Sequence, residues 1–211
     1  MLDLNIQNET SRLRTVVLGT AFHNGPIPTI EECYDPKSKI HVIAGTYPKE
    51  QDMIFEMESV ARVFEKYGIK VFRPKVIENY NQIFSRDIGF VIEDKFITAN
   101  ILPDRDLEIS AIDHVLDQIP KENRISLPED CHVEGGDVMP WNNYIFIGTY
   151  SGKDYPEYIT ARTNVNAVKA IQELFPTKIV KSFELRKSND NAKENALHLD
   201  CCFQPIGKDK A

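Results

Sequence analysis

The sequence predicts an α/β fold built from a repeated strand-strand-helix-strand unit. Short β-rich runs alternate with segments in which apolar residues recur at helical spacing, and this order returns along the chain. Such repetition is typical of architectures in which each unit buries its apolar face against the next. A chain of 211 residues with 42% hydrophobic residues is long enough for one domain, and we expect residues 1–211 to form it.

The first predicted unit spans residues 13–74. LRTVVL at 13–18 is its first strand, and residues 41–44 are a candidate second strand. Between Pro48 and Gly68 the apolar residues follow helical spacing, and Gly68 stands where a helix would end. IKVFRP at 69–74 supplies the closing strand.

Two further units follow in the same order, over residues 87–127 and 132–183. In the second unit, strands at 89–100 precede a helical pattern at 106–119 and a strand at 124–127. In the third, HVEGGDV and NYIFIGT flank a turn, a helix is expected over 160–175, and TKIVKSF closes the unit. The start of a fourth unit is predicted at 196–207.

Charge and composition limit the classes of function. The formal net charge of −7 and the pI near 5.3 argue against a nucleic-acid surface and favour a small cation as ligand. No segment approaches the roughly 18 apolar residues of a membrane helix, and no leader is recognisable, so we expect a cytoplasmic protein. The four cysteines show no CxxC pair, which favours free thiols.

The segment ALHLDCCF at 196–203 alternates as a strand would. His198, Asp200 and Cys202 would then share one face, while Leu199, Cys201 and Phe203 would pack into the core. An exposed sheet face is the plain structural interpretation of the polar side. In the functional interpretation, His198 and Asp200 point from the same strand face toward one shared site.

Two other motifs carry carboxylates at comparable places. EGGDV at 134–138 has two glycines that permit close backbone approach, and SRDIG at 85–89 leads into the second unit. A solvated bulge and a surface pair of Arg86 with Asp87 would explain each motif by itself. Their positions at the entrances of units argue otherwise, because equivalent entrances converge when repeats form a ring.

These motifs, RD at 86–87, EGGD at 134–137 and HLD at 198–200, resemble those of the guanidino-group-modifying enzymes with the pentein fold, the amidinotransferase and arginine deiminase family. The resemblance covers nearly the whole chain. It implies an α/β propeller of five units, of which this sequence supplies about three and the start of a fourth.

The resemblance also implies a role for each matching residue. Asp87 and Asp200 match the carboxylates that bind the substrate guanidinium, a planar, forked cation that carboxylates hold with paired hydrogen bonds. Glu134 matches the acid that orients the histidine, and His198 matches the general acid/base. The structural supports of the motifs are Arg86, Gly135, Gly136 and Asp137.

The reaction of the family needs a cysteine thiolate that attacks the guanidinium carbon and forms a covalent amidino-enzyme. In these relatives that cysteine lies near the C-terminus, and here nothing follows GKDKA. We therefore expect a chain truncated at its C-terminus and inactive by itself. A short form completed by another chain is a second explanation, and a rewired site with Cys202 as nucleophile is the least favoured, since most small buried cysteines are inert.

No metal or other cofactor is expected. His198 and Cys202 on one strand would stand roughly 13 Å apart, too far for both to bind a single ion.

The sequence thus predicts an amidinotransferase-like enzyme that acts on arginine or a related guanidino compound through a cysteine-amidino intermediate. Hydrolysis, as in arginine deiminases and dimethylarginine hydrolases, is the alternative, in which water replaces the acceptor amine. A non-catalytic pentein binding module, similar to the translation initiation factor 6 proteins, is the alternative of another class. Expected partners are a guanidino substrate and an acceptor amine, not nucleic acid or a membrane, and a homo-oligomer is left open.

Overall fold

A computed structural model describes residues 1–207 and 210–211 of the chain. The strands in this part are β1 (Thr15–Val17), β2 (Lys70–Phe72), β3 (Gly89–Ile92), β4 (Lys95–Thr98), β5 (Arg124–Ser126), β6 (Val138–Trp141), β7 (Tyr144–Thr149) and β8 (Ile179–Glu184). The α-helices are α1 (Pro36–Ile43), α2 (Glu50–Lys66), α3 (Leu107–Ser110), α4 (Asp113–Leu116) and α5 (Val165–Leu174). None of the helices among these residues is long and apolar enough to span a bilayer.

Of the three sheets formed by the described residues, two repeat the same topology. In one sheet, β3 pairs antiparallel with β4, which pairs parallel with β5; in the next, β6 pairs antiparallel with β7, which pairs parallel with β8. Each parallel pair is joined by a helical crossover, as parallel strands require. Within residues 87–127 and 132–183 the elements follow the order strand, strand, helix, strand, with α3 and α4 in place of the one continuous helix expected at 106–119.

The first unit differs from the prediction in its second strand. β1 and β2 form a two-stranded parallel sheet, while residues 41–44 belong to the end of α1 and the residue after it. The side chain of Asp35 accepts hydrogen bonds from the backbone N–H groups of Lys37 and Ser38, and Pro36 occupies the first helical position. These N-terminal helix signals override the apolar run at 41–44.

The helix α2 ends where the sequence predicts. Gly68 adopts a φ of 70°, its N–H donates to Glu65 O, and the N–H of Ile69 donates to Phe64 O. This left-handed glycine cap satisfies the last carbonyl groups and turns the chain toward β2.

One apolar core lies between the second and third sheets. Its members come from both sheets and from α5, and they include Phe90, Ile92, Ile97, Val138, Ile145, Ile147 and Ile171. Because close-packed cores resist sliding, this shared core fixes β3 relative to β6. The residues that precede these two strands, including Asp87 and Glu134, are therefore held in a fixed relation.

The predicted strand at the start of a fourth unit is wrong. Residues Leu199–Cys201 form a 3-10 turn, and Leu199 packs against Met139 and Leu185. Cys201, predicted to lie in the core, is exposed. Leu199 and Phe203 nevertheless face the core, and the ring of Phe203 lies against that of Phe146 with centroids 5.6 Å apart. The alternation therefore identified these two inward apolar residues but not the backbone conformation.

Candidate active site

The carboxylates and the histidine singled out by the sequence meet above the backbone of Gly136. A methyl group added at Gly136 would lie 2.9 Å from His198 Cγ, 3.0 Å from Asp87 Oδ1 and 3.1 Å from Asp200 Oδ2. Asp87, His198 and Glu134 are buried, and Asp200 is half-buried. The structure thus brings together residues that are far apart in sequence and come from three segments.

His198 is held by a buried carboxylate. His198 Nε2 lies 2.7 Å from Glu134 Oε2, and His198 Nδ1 lies 3.9 Å from Asp87 Oδ1. Burial lowers the pKa of His198, but hydrogen bonds with Cys201 and Glu134 and the charge of Asp87 outweigh burial and hold the pKa well above 6.5. The imidazole is therefore a cation near neutral pH, able to donate a proton.

Glu134 is ionised in spite of its burial. Burial raises its pKa, whereas the hydrogen bond from His198 and the charges of Arg162 and Arg105 bring the pKa down to about 2. Arg162 Nε lies 3.4 Å from Glu134 Oε1 and Arg105 Nη1 lies 3.6 Å from Oε2. A carboxylate with this many cationic neighbours stays charged and can orient the imidazole of His198.

The two glycines of EGGDV allow the backbone of this segment to lie directly against residues 86 and 87. The N–H of Gly135 donates to Asp87 O at 3.0 Å, and a methyl group at Gly135 would lie 2.0 Å from Arg86 O. Neither glycine is among the residues with positive φ. The glycines are required by contact between the SRDIG and EGGDV segments, and this contact places Asp87 beside Glu134.

Asp137 fixes the turn that carries His198 and Asp200. One oxygen of the buried Asp137 accepts from Leu199 N at 2.8 Å, and the other accepts from Thr163 Oγ1 at 2.6 Å. Thr163 Oγ1 in turn accepts from Glu134 N at 3.3 Å. The hydrogen bonds tie three segments of the site to one carboxylate.

Arg86 contacts Asp200, not its neighbour Asp87. Arg86 Nε lies 3.1 Å from Asp200 Oδ2, and Arg86 Nη1 lies 3.5 Å from Glu9. Burial raises the pKa of Asp200, while the charges of His198 and Arg86 act in the opposite direction. The plain interpretation of Arg86 and Asp87 as a surface pair is wrong.

Sequence reasoning missed four residues that touch this cluster: Arg105, Glu108, Arg162 and Thr163. Arg105, in the turn before α3, and Glu108, in α3, stand three residues apart, a spacing that brings opposite charges together on helical backbone. Arg162 and Thr163 precede Asn164, whose side chain caps α5. No pattern distinguishes Arg162 from the other basic residues of the chain.

The thiols are placed differently from the prediction. Cys202 Sγ donates to Leu199 O at 3.4 Å, and burial raises the pKa of Cys202. Cys201 Sγ lies 3.7 Å from Asp200 Oδ1 and within 4.8 Å of a ring nitrogen of His198. The 3-10 turn therefore exchanges the two cysteines: Cys201, not Cys202, faces His198 and Asp200.

The 3-10 turn at Leu199–Cys201 removes the strand spacing that was expected to hold His198 and Cys202 too far apart for one metal ion. Donor atoms of His198, Asp200 and Cys201 lie within 4.8 Å of one another, and so do those of Asp87, Glu134 and His198. Either set has a composition that could bind a divalent cation. The second set is already engaged with Arg105 and Arg162, which leaves little negative charge for an ion.

Comparison with known proteins supports the fold. No family model matches the chain. The uncharacterized protein YkgA of Bacillus subtilis is 31% identical over 132 residues, which are 62% of this chain and 39% of that protein. The N-terminal domain of ArgZ, a cyanobacterial arginine dihydrolase, aligns with a TM-score of 0.67 and 15% identity over 93% of this chain and 64% of its own. Inosamine-phosphate amidinotransferase of Streptomyces griseus aligns with a TM-score of 0.65 and 16% identity, over 90% of this chain and 65% of its own.

The chain has the fold of the pentein-type guanidino-group-modifying enzymes, and the resemblance predicted from the motifs is confirmed at this level. Among its solved neighbours are two amidinotransferases, a dimethylarginine dimethylaminohydrolase and an arginine dihydrolase. The chain spans less than two thirds of the length of the relatives compared above.

Proposed function

We propose that the site binds a guanidino compound such as arginine, with Asp87 and Asp200 as ligands of the guanidinium and with His198, oriented by Glu134, as the acid/base. The common approach of Asp87, His198 and Asp200 to Gly136 carries this proposal, since it presents two carboxylates and a proton donor to one small volume. A guanidinium ion has donors on three sides and matches such a set.

In the whole protein we propose transfer of the amidino group. A thiolate forms a bond to the guanidinium carbon, the carbon–nitrogen bond to the leaving amine breaks, and His198 donates its proton to that nitrogen. Transfer to an amine regenerates the thiolate and gives a new guanidine. The raised pKa of His198 suits the donation, because the imidazole carries the proton at neutral pH.

Hydrolysis is the second candidate, since an arginine dihydrolase is among the neighbours with this fold. Both reactions share the attack on the guanidinium carbon and the proton donation by His198. They differ in the nitrogen that leaves, which is the chain amine in amidino transfer and ammonia in hydrolysis to citrulline, and in whether an amine or water then attacks the carbon bound to sulfur.

Calorimetric titration of the 211-residue chain with L-arginine tests the binding step. We expect saturable binding that falls at least about tenfold in Asp87→Asn, because a buried charged partner of the guanidinium is lost. Asp94→Asn is the matched control, since Asp94 lies exposed in the turn between β3 and β4. Equal affinity for arginine in all three proteins would contradict the proposal. Assays for citrulline, ornithine and new guanidines, with the whole protein, then separate transfer from hydrolysis.

A further inference from the structure

The Asp87 carboxylate already holds a guanidinium that belongs to the chain itself. Arg105 Nη1 donates to Asp87 Oδ2 at 2.9 Å, and the same nitrogen lies 3.6 Å from Glu134 Oε2. The side chain of Arg105 is only 16% exposed. The pocket around Asp87 is thus able to hold a guanidinium group, and in this structure the group is that of Arg105.

We propose that Arg105 is a built-in competitor for Asp87, so that an incoming guanidinium binds both oxygens of Asp87 only after the Arg105 guanidinium has moved away. This inference rests on the proposed binding of guanidinium by Asp87. It adds a residue that sets the affinity and selectivity of that site.

The geometry makes full binding of both guanidinium groups incompatible. A carboxylate grips a guanidinium most strongly when its two oxygens accept two parallel hydrogen bonds. Arg105 uses Oδ2 of Asp87, which leaves Oδ1, the oxygen that faces Gly136 and His198. With Arg105 in place, only one oxygen of Asp87 is free to accept a hydrogen bond from a substrate guanidinium. The two cations would also lie side by side on one carboxylate and repel each other.

A second carboxylate allows Arg105 to leave without becoming an isolated buried charge. Arg105 Nε and Nη2 donate to the two oxygens of Glu108 at 2.7 and 3.2 Å. Glu108 lies in α3, three residues after Arg105, so it remains a charged partner for Arg105 when the guanidinium leaves Asp87. Departure from Asp87 then breaks the charged hydrogen bond to Asp87 and the 3.6 Å contact of Nη1 with Glu134, but it keeps the paired contact with Glu108, which lowers the cost of desolvation.

The segment that carries Arg105 is a single 3-10 turn, Pro103–Arg105, between β4 and α3. Its outer side is held by Tyr34, whose hydroxyl donates to Asp104 Oδ2 at 2.9 Å, and by Tyr80, whose hydroxyl donates to Asp104 O at 2.5 Å. A turn of three residues has few internal hydrogen bonds, so a shift of Arg105 does not require a helix or sheet to break.

Titration with methylguanidine tests the proposal, because this probe has a guanidinium and no other binding group. We expect Arg105→Met to bind methylguanidine about tenfold more tightly than the unaltered chain, since the competing state is removed. Arg73→Met is the matched control: it removes another arginine paired with a glutamate at 2.8 Å, Glu58, outside the site. We expect its affinity to be unchanged.

Arg105→Lys keeps the inference testable if the methionine variant does not fold. Lysine retains a charge for Glu108 but lacks the fork that reaches Asp87 as well, so we again expect tighter binding. Unchanged or weaker binding in the variant that folds overturns the inference, and it would assign Arg105 to the support of Asp87.

Asp87→Asn separates this failure from failure of the proposed function. If the unaltered chain binds methylguanidine and Asp87→Asn does not, the proposed function stands whatever Arg105 does. If no protein in the series binds the probe, or if Asp87→Asn binds it as well as the unaltered chain, the proposed function fails and the inference fails with it.

Discussion

Glu134 Oε2 and His198 Nε2 lie 2.7 Å apart and join two segments that are 64 residues apart in the sequence. Both side chains are almost fully buried, and Glu134 also faces Arg162 and Arg105. This pair is the point at which the stability of the fold and the chemistry of the site depend on the same atoms.

We expect Glu134→Gln to lower the free energy of unfolding by about 3–5 kcal/mol, because removing one member of a buried ion pair leaves uncompensated charge. The pKa of His198 should fall in the same variant, since a hydrogen bond and a negative charge are lost. Urea unfolding and an NMR titration of the imidazole measure the two effects.

The control for this variant is Asp154→Asn. Asp154 Oδ2 lies 2.8 Å from His132 Nδ1, a similar distance, but the two side chains are 34% and 38% exposed. Exposed pairs contribute about 0–1 kcal/mol, so the loss should be small. Equal losses in the two variants would show that burial of the Glu134 pair adds nothing.

Stability should depend on pH through His198. Its pKa is raised in the folded state, so its contribution is complete below the unfolded pKa near 6.5 and is lost as pH rises toward the folded pKa. Unfolding free energies measured at pH 6, 7 and 8 should therefore decrease, and His198→Gln should remove this part of the slope.

Lys187 has the opposite effect at higher pH. Burial lowers the pKa of Lys187 to about 8, so the unfolded chain binds the proton more tightly and stability from this group rises between about pH 8 and 10.5. The contribution of His198 is best measured below pH 8 for this reason.

If unfolding free energy changed with pH between 6 and 8 equally in His198→Gln and in the unaltered chain, His198 would not be the group responsible for the slope.

Gly136→Ala should abolish binding of guanidines while the chain stays folded. The added methyl group would lie 2.9–3.1 Å from atoms of His198, Asp87 and Asp200, and such overpacking costs about 1–3 kcal/mol. Gly68→Ala is a useful comparison, since Gly68 has positive φ and open space around it. It should lower stability through backbone strain, yet leave calorimetric binding of methylguanidine intact.

Asp137→Ala should loosen the turn that carries His198 and Asp200. The change leaves Leu199 N and Thr163 Oγ1 without their acceptor, at a cost of about 1–3 kcal/mol for each buried group left unpaired. Hydrogen exchange at Leu199 N should accelerate strongly. Protection of that amide equal to the unaltered chain would show that packing of Leu199 alone holds the turn.

The sequence predicted the strand and helix order of residues 87–127 and 132–183, because apolar periodicity is a local property. It predicted the approach of the motif residues to one another from their positions at the entrances of these units. It failed at residues 41–44 and 196–203. At residues 41–44, the helix cap formed by Asp35 and Pro36 stabilises a helix in place of a strand. At 196–203, the carboxylate of Asp137 accepts a hydrogen bond from Leu199 N and stabilises a 3-10 turn. The contact of Arg105 with Asp87 was missed for a similar reason: the two residues come from different segments, and tertiary packing brings them together.

The position of Gly136 between three segments also makes the site a sensor of tertiary order. Release of the turn that carries His198 would leave β7 paired with β8 and α5 helical, but it would carry His198 away from Glu134 and Asp87. The imidazole would then titrate like a free histidine. A single NMR resonance of His198 can thus distinguish a fully assembled chain from a partly folded one that retains its secondary structure.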